Sequence, residues 1–134
     1  MIDYATQWYS RAVAVPGDSL VEFIESKIFS TQITQLGIDT LLKIQSDLLQ
    51  NPERGAIIKG THWVRKARVA HPTSQRGKSG SYLYLEHVGR VHLLYLFSKG
   101  QQADLSADQK RIIAALSQEI RKEALSHESS KKSS

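Results

Sequence analysis

Seven consecutive positions, Val91-His92-Leu93-Leu94-Tyr95-Leu96-Phe97, hold six apolar or aromatic side chains and one histidine. A strand with one wet face alternates apolar and polar residues, so an unbroken run of this length needs cover on both faces. It is far too short to span a bilayer. The run therefore predicts a central strand, and the rest of the chain must supply neighbours and two covering layers.

Tyr82-Leu83-Tyr84-Leu85 reads as the neighbouring strand, tyrosines on one face and leucines on the other, with the turn at Glu86–Gly89. Thr61–Ala70 reads as a third strand of the same meander. Strand alternation puts Trp63, Arg65, Ala67 and Val69 on one side, and His62, Val64, Lys66, Arg68 and Ala70 on the other. Between these strands, residues 71–81 contain Pro72, Gly77 and Gly80 and predict a basic loop. Gly55–Gly60 suits a connection.

The covering layers come from three amphipathic segments. Lys27–Leu36 carries Ile28, Phe29, Ile33 and Leu36 at helical spacing, and Gly37 interrupts it. Asp39 suits the N-cap of a second helix that buries Leu41, Leu42, Ile44, Leu48 and Leu49 and stops at Asn51-Pro52. Ser106 opens the last helix, with Gln109 as capping-box partner and Ile112, Ile113, Leu116 and Ile120 as its apolar stripe. Val21–Glu25 alternates well enough for a short first strand. The expected fold is a small α+β domain over residues 20–125, with a mostly antiparallel sheet, two N-terminal helices and a C-terminal helix. Residues 1–19 end in Pro16-Gly17 and read as an N-terminal extension: a docked helix, a disordered arm or an upstream start. The serine- and lysine-rich residues 126–134 read as a disordered tail.

Composition matters where it touches function. The chain has 134 residues, no cysteine and a formal net charge of +5. That leaves room for one core and excludes disulfide scaffolds, thiolate zinc sites and cysteine nucleophiles. The N-terminus lacks the basic start and apolar core of a signal peptide, so the expected location is the cytoplasm, with no membrane partner. No acidic residue occurs between Glu53 and Glu86, an interval that holds Arg54, Lys59, Arg65, Lys66, Arg68, Arg76 and Lys78. A gap of this kind makes a local positive field suited to a polyanion, although a solvated basic face would leave the same pattern.

Common chemical motifs are missing. Arg76-Gly77-Lys78-Ser79-Gly80 lacks the upstream glycine of a phosphate-binding loop. The histidines 62, 71, 87, 92 and 127 have no helical metal-ligand spacing, so neither metal nor cofactor is expected. His92 reads as a core or sheet-face histidine, and His62 and His71 as groups near phosphate. What remains is a set of cations and phenols: Lys66, Arg68, Lys78, Lys99, Tyr82 and Tyr84. Metal-free RNA cleavage needs a base for the ribose 2′-hydroxyl, positive charge for the pentacoordinate phosphate and an acid for the leaving oxygen. Crowded cations can depress one lysine enough for base duty. Tyrosines can stack on unpaired bases, or can simply be packing residues.

Gly60-Thr61-His62-Trp63-Val64-Arg65-Lys66-Ala67-Arg68 resembles the glycine-led Arg-Lys-x-Arg strand of HigB-type toxins in the RelE/ParE superfamily. Leu48–Gly55, Gly77-Lys78-Ser79-Gly80, Gly89–Leu94, Lys99 and Asp104-Leu105 extend the resemblance in order over roughly Val21–Glu123. It implies a RelE-like fold and a type II toxin–antitoxin role: a ribosome-dependent mRNA endoribonuclease, working without a metal. The implied partners are mRNA, the ribosome and an antitoxin, often a helix-turn-helix protein through which operator DNA is reached. By position the resemblance implies Lys66, Arg68 and Lys99 as catalytic residues, with Lys66 or Lys99 as base and Arg68 on the phosphate. Arg65, Arg76, Lys78, Tyr82 and Tyr84 are expected to contact RNA. The family usually has an arginine soon after its glycine loop; this chain runs from Gly80-Ser81 to Tyr82 without one, and Arg76 or Lys78 stands nearest as a substitute. A non-catalytic or gyrase-directed protein of the same fold, and a basic RNA-binding module, are the other readings.

Overall fold

The computed structural model describes residues 8–14, 20–69, 80–98 and 105–132. It is an α+β fold with a six-stranded, mostly antiparallel sheet. In chain order the elements are β1 (Trp8–Ala14), β2 (Leu20–Ser26), α1 (Lys27–Leu36), α2 (Ile38–Gln50), β3 (Ala56–Ile57), β4 (Arg65–Val69), β5 (Gly80–His87), β6 (Arg90–Ser98) and α3 (Ala107–Lys132). The strand order across the sheet is β1-β2-β6-β5-β4-β3, and β2 runs parallel to β6.

The apolar run forms β6, which lies between β2 and β5 as the expected central strand. One face carries Val91, Leu93 and Leu96, packed with Phe23 and with Phe29, Ile33, Leu41, Ile44 and Leu48 of α1 and α2. The other carries Leu94 and Phe97, packed with Leu83 and Leu85 and with Ile113, Leu116 and Ile120 of α3. Not every expected core residue is inside: Leu42 and Ile112 are exposed.

Pairing of β2 with β6 ends at Glu25 opposite Leu93, because the chain then turns into α1. The backbone of β6 beyond that point needs other partners, and α1 provides them. Ser26 Oγ caps the helix by accepting from Phe29 N at 3.0 Å and donates to Leu94 O at 2.7 Å. The Gln32 amide then takes the place of a strand, donating to Leu96 O and accepting from Leu96 N, both at 2.8 Å. In the first turn of α1, Ser30 Oγ donates to the buried carboxylate of Glu25 at 2.7 Å.

Four expectations are corrected. Residues 8–14, read as part of an appendage, form edge strand β1 and pair antiparallel with β2 from Trp8↔Ser26 to Ala14↔Leu20. An open edge beside β2 gives that backbone its hydrogen bonds, which sequence pattern does not reveal. Second, α3 continues as helix to Lys132, through most of the expected tail; lysines near a helix C-terminus suit the helix dipole. Third, β4 begins at Arg65, not Thr61. Residues 58–64 instead make a tight loop closed by Ile58 N to Val64 O at 2.8 Å and Thr61 Oγ1 to Ile58 O at 2.6 Å. The second helix also takes Gly37, not Asp39, as its N-cap; Asp39 sits in its first turn.

Candidate nucleic-acid interface

The basic interval is split by strand alternation into two populations. In β4, Arg65 pairs with Tyr84 and Ala67 with Tyr82, while Lys66 pairs with Leu83 and Arg68 with Ser81. Directly paired residues share a face. Arg65 therefore lies on the side of α1 and α2, and Lys66 and Arg68 lie together on the side of α3, as the sequence phase requires. Two residues along a strand separate these cations by about 7 Å at the backbone.

Arg65 is engaged in structure. Its Nη1 donates to Gly55 O at 2.7 Å and Glu53 O at 3.2 Å, holding the connection after α2 against β4. Arg54 makes a second clamp: its Nη1 reaches Asp47 Oδ2 at 2.9 Å, Tyr82 OH at 3.1 Å and Arg68 O at 3.3 Å. Both guanidiniums satisfy backbone carbonyls at the place where α2 is joined to the sheet. Arg68 differs: it is exposed, and its side chain makes no hydrogen bond or ion pair among the described residues.

Tyr82 and Tyr84 do not contact RNA in this arrangement. Both rings are fully buried, 5.6 Å apart between centroids, and belong to the core beneath α1 and α2. Tyr84 OH accepts from Gly55 N and donates to Pro52 O, each at 2.9 Å. Burial pushes the Tyr82 phenol up to about 12, outweighing the downward pull of the Arg54 hydrogen bond. It raises the Tyr84 phenol as well. The alternation in 82–85 correctly separates two faces, but both faces are covered, so neither offers a stacking surface. The expectation that these tyrosines hold bases is withdrawn for that reason. Gly55 is needed beneath them: a Cβ there would lie 2.8 Å from Lys66 O and 2.9 Å from the Tyr84 ring.

Lys99, Arg76 and Lys78 lie outside the described residues. His92 is buried in β6, where burial lowers its imidazole to about 4, so it is neutral at pH 7. No cluster of three or more metal-ligating side chains occurs among the described residues.

Among the residues whose side chains are described, the large aromatic that faces solvent is Trp63, read from sequence as a strand residue. It sits in the loop before β4 with 55% of its surface exposed. His62 and Trp63 both have positive φ, 60° and 81°; the first is tolerable for histidine, the second is a strained conformation for a bulky side chain. The loop is held from beneath by fully buried Thr61 and by Ser117 of α3, whose Oγ donates to His62 O. Arg121 of α3 lies over the indole at 5.9 Å from the ring centroid. Sequence gives no warning of a left-handed tryptophan; the nearby Lys59-Gly60 turn was the available signal that the strand starts later.

No family model matches the chain. Among the described residues, no helix is long and apolar enough to cross a membrane.

Proposed function

We propose that this protein is the toxin of a type II toxin–antitoxin pair and cleaves messenger RNA on the ribosome. The observation that carries the reading is the pairing of Lys66 and Arg68 on one sheet face, with Arg65 and Arg54 assigned to structural work on the other. Two neighbouring cations on one strand suit a scissile phosphate, because their geometry is set before the substrate arrives. The ordered resemblance to HigB-type proteins supplies the rest of the proposal. Lys66 or Lys99 removes the 2′-hydroxyl proton, the 2′-oxygen bonds to phosphorus as the P–O5′ bond breaks, and the leaving 5′-oxygen takes a proton from water; Arg68 stabilises charge on the phosphate, and Arg76 and Lys78 hold the RNA backbone. The protein acts in the cytoplasm, and a small antitoxin, through which operator DNA is bound, neutralises it.

Induced expression should arrest growth and produce mRNA cuts in register with codons. Lys66→Ala, Arg68→Ala and Lys99→Ala together should relieve both effects while the protein stays folded by circular dichroism. Undiminished cutting by the triple variant rules out this site. DNA damage with intact mRNA would assign a gyrase-like protein target, and salt-dependent RNA binding without toxicity would leave an RNA-binding module.

A further inference from the structure

The 58–63 loop and α3 enclose a shallow open recess whose lining includes Ile57, Lys59, His62, Trp63, Ala114 and Gln118. No aspartate or glutamate is among the described residues that line it. Cations border it on both sides: Lys59 is exposed in the loop, the Lys110 side chain lies against Gly60, and Arg121 lies over the indole. The backbone at Trp63 is held by the Ser117 Oγ hydrogen bond to His62 O and by Thr61 Oγ1 to Ile58 O, and the ring stays 55% exposed. The fold thus retains a strained backbone that keeps a large aromatic in solvent, a combination found where such strain serves a ligand.

We propose that Trp63 is a stacking platform for one unpaired base of single-stranded RNA, with Lys59, Lys110 and Arg121 drawing in the flanking phosphates. A flat aromatic in a positive, carboxylate-free surround matches the two chemical features of such a strand, π-faced bases and a phosphate backbone. The proposal rests on the reading of the protein as an RNA-cleaving toxin and adds a substrate contact to it. Val64 packs in the core beneath α3, the face on which Lys66 also lies. Lys66 is three positions on from Trp63, at most about 11 Å of chain. A base on Trp63 therefore belongs to the same short stretch of RNA as a phosphate at Lys66. Arg121 occupies one side of the ring, and just over half of the Trp63 surface is exposed.

The test uses the full-length chain carrying Trp8→Phe, so that emission reports Trp63 alone, titrated with an unstructured RNA octamer and with an abasic octamer of equal charge. The RNA octamer should quench Trp63 emission and the abasic strand should not. Trp63→Ala should weaken RNA binding about tenfold, as loss of one stacked base does, and leave abasic binding unchanged; Trp63→Phe should retain most of the affinity. Lys59→Gln with Arg121→Gln should weaken both ligands and flatten the salt dependence. Unquenched emission at saturation, or equal RNA affinity in Trp63→Ala, overturns the platform. So does shielding of Trp63 by a neutralising protein alone, which would make this face a protein-docking surface. Quenching without any mRNA cleavage would keep the platform and remove the cleavage reading; cleavage that depends on Lys66 and Arg68 but is indifferent to Trp63 would do the reverse.

Discussion

Tyr84 shows how a single polar atom joins two distant parts of the chain. Its hydroxyl serves Gly55 N and Pro52 O together, so Tyr84→Phe leaves a buried N–H and a carbonyl without partners. An unmet buried group costs about 1–3 kcal/mol, and urea denaturation of Tyr84→Phe should show a loss of that size. His92 gives a pH signature. Its imidazole is lowered to about 4 by burial, against about 6.5 in an unfolded chain. Between those values the unfolded state takes up a proton that the folded state refuses, so stability rises with pH. The contribution is complete above about pH 6.5 and lost as pH falls to about 4, and it amounts to at most about 3 kcal/mol. Unfolding curves across that window should flatten in His92→Gln. Alternation made the two faces of 82–85 legible, but not the phenols' partners, because Pro52, Arg54 and Gly55 arrive by tertiary folding. The same limit explains Trp63: its exposure comes from a left-handed backbone and a helix 50 residues downstream.

At the scale of elements, local chemistry reads well where the signal is itself local. The Ser106–Gln109 capping box is present in both directions, with Gln109 N to Ser106 Oγ at 3.2 Å and Ser106 N to Gln109 Oε1 at 2.9 Å. Asn51-Pro52 ends α2 as proline requires. The hairpin between β5 and β6 closes through Val88 and Gly89, both at positive φ, with His87 paired to Arg90. Two-residue hairpins of this kind favour Asn-Gly, and a β-branched residue at positive φ is strained. Val88→Asn should therefore stabilise the protein by about 1 kcal/mol, seen as a rise in Tm; an unchanged or lower Tm would show that the turn carries no such strain. Strand β1 was not legible, since whether an apolar segment joins a sheet depends on an open edge elsewhere. β3 lies in the stretch read as a connection, and the end of the tight loop before β4 was hidden in a run whose alternation looked strand-like from Thr61 onward.

For the whole molecule, the central strand organises the fold. Because β6 needs cover on both faces, the sheet separates two chemical sides. One side hides the tyrosines and uses Arg54 and Arg65 to fasten the α2 connection. The other carries α3, Lys66, Arg68 and the Trp63 loop. The phase of the basic strand was legible in the sequence, yet RNA contacts were expected on both sides, because a charge count does not show that Arg65 holds carbonyls while Arg68 is exposed. The most direct measurement is cleavage of ribosome-bound mRNA in a purified translation system, comparing the parent with Lys66→Ala/Arg68→Ala of confirmed fold. The proposed ribonuclease function predicts cuts within the codon in the ribosomal decoding site for the parent, and a loss of several orders of magnitude in the double variant. Equal cleavage by both proteins, or no cleavage by the parent, would contradict it.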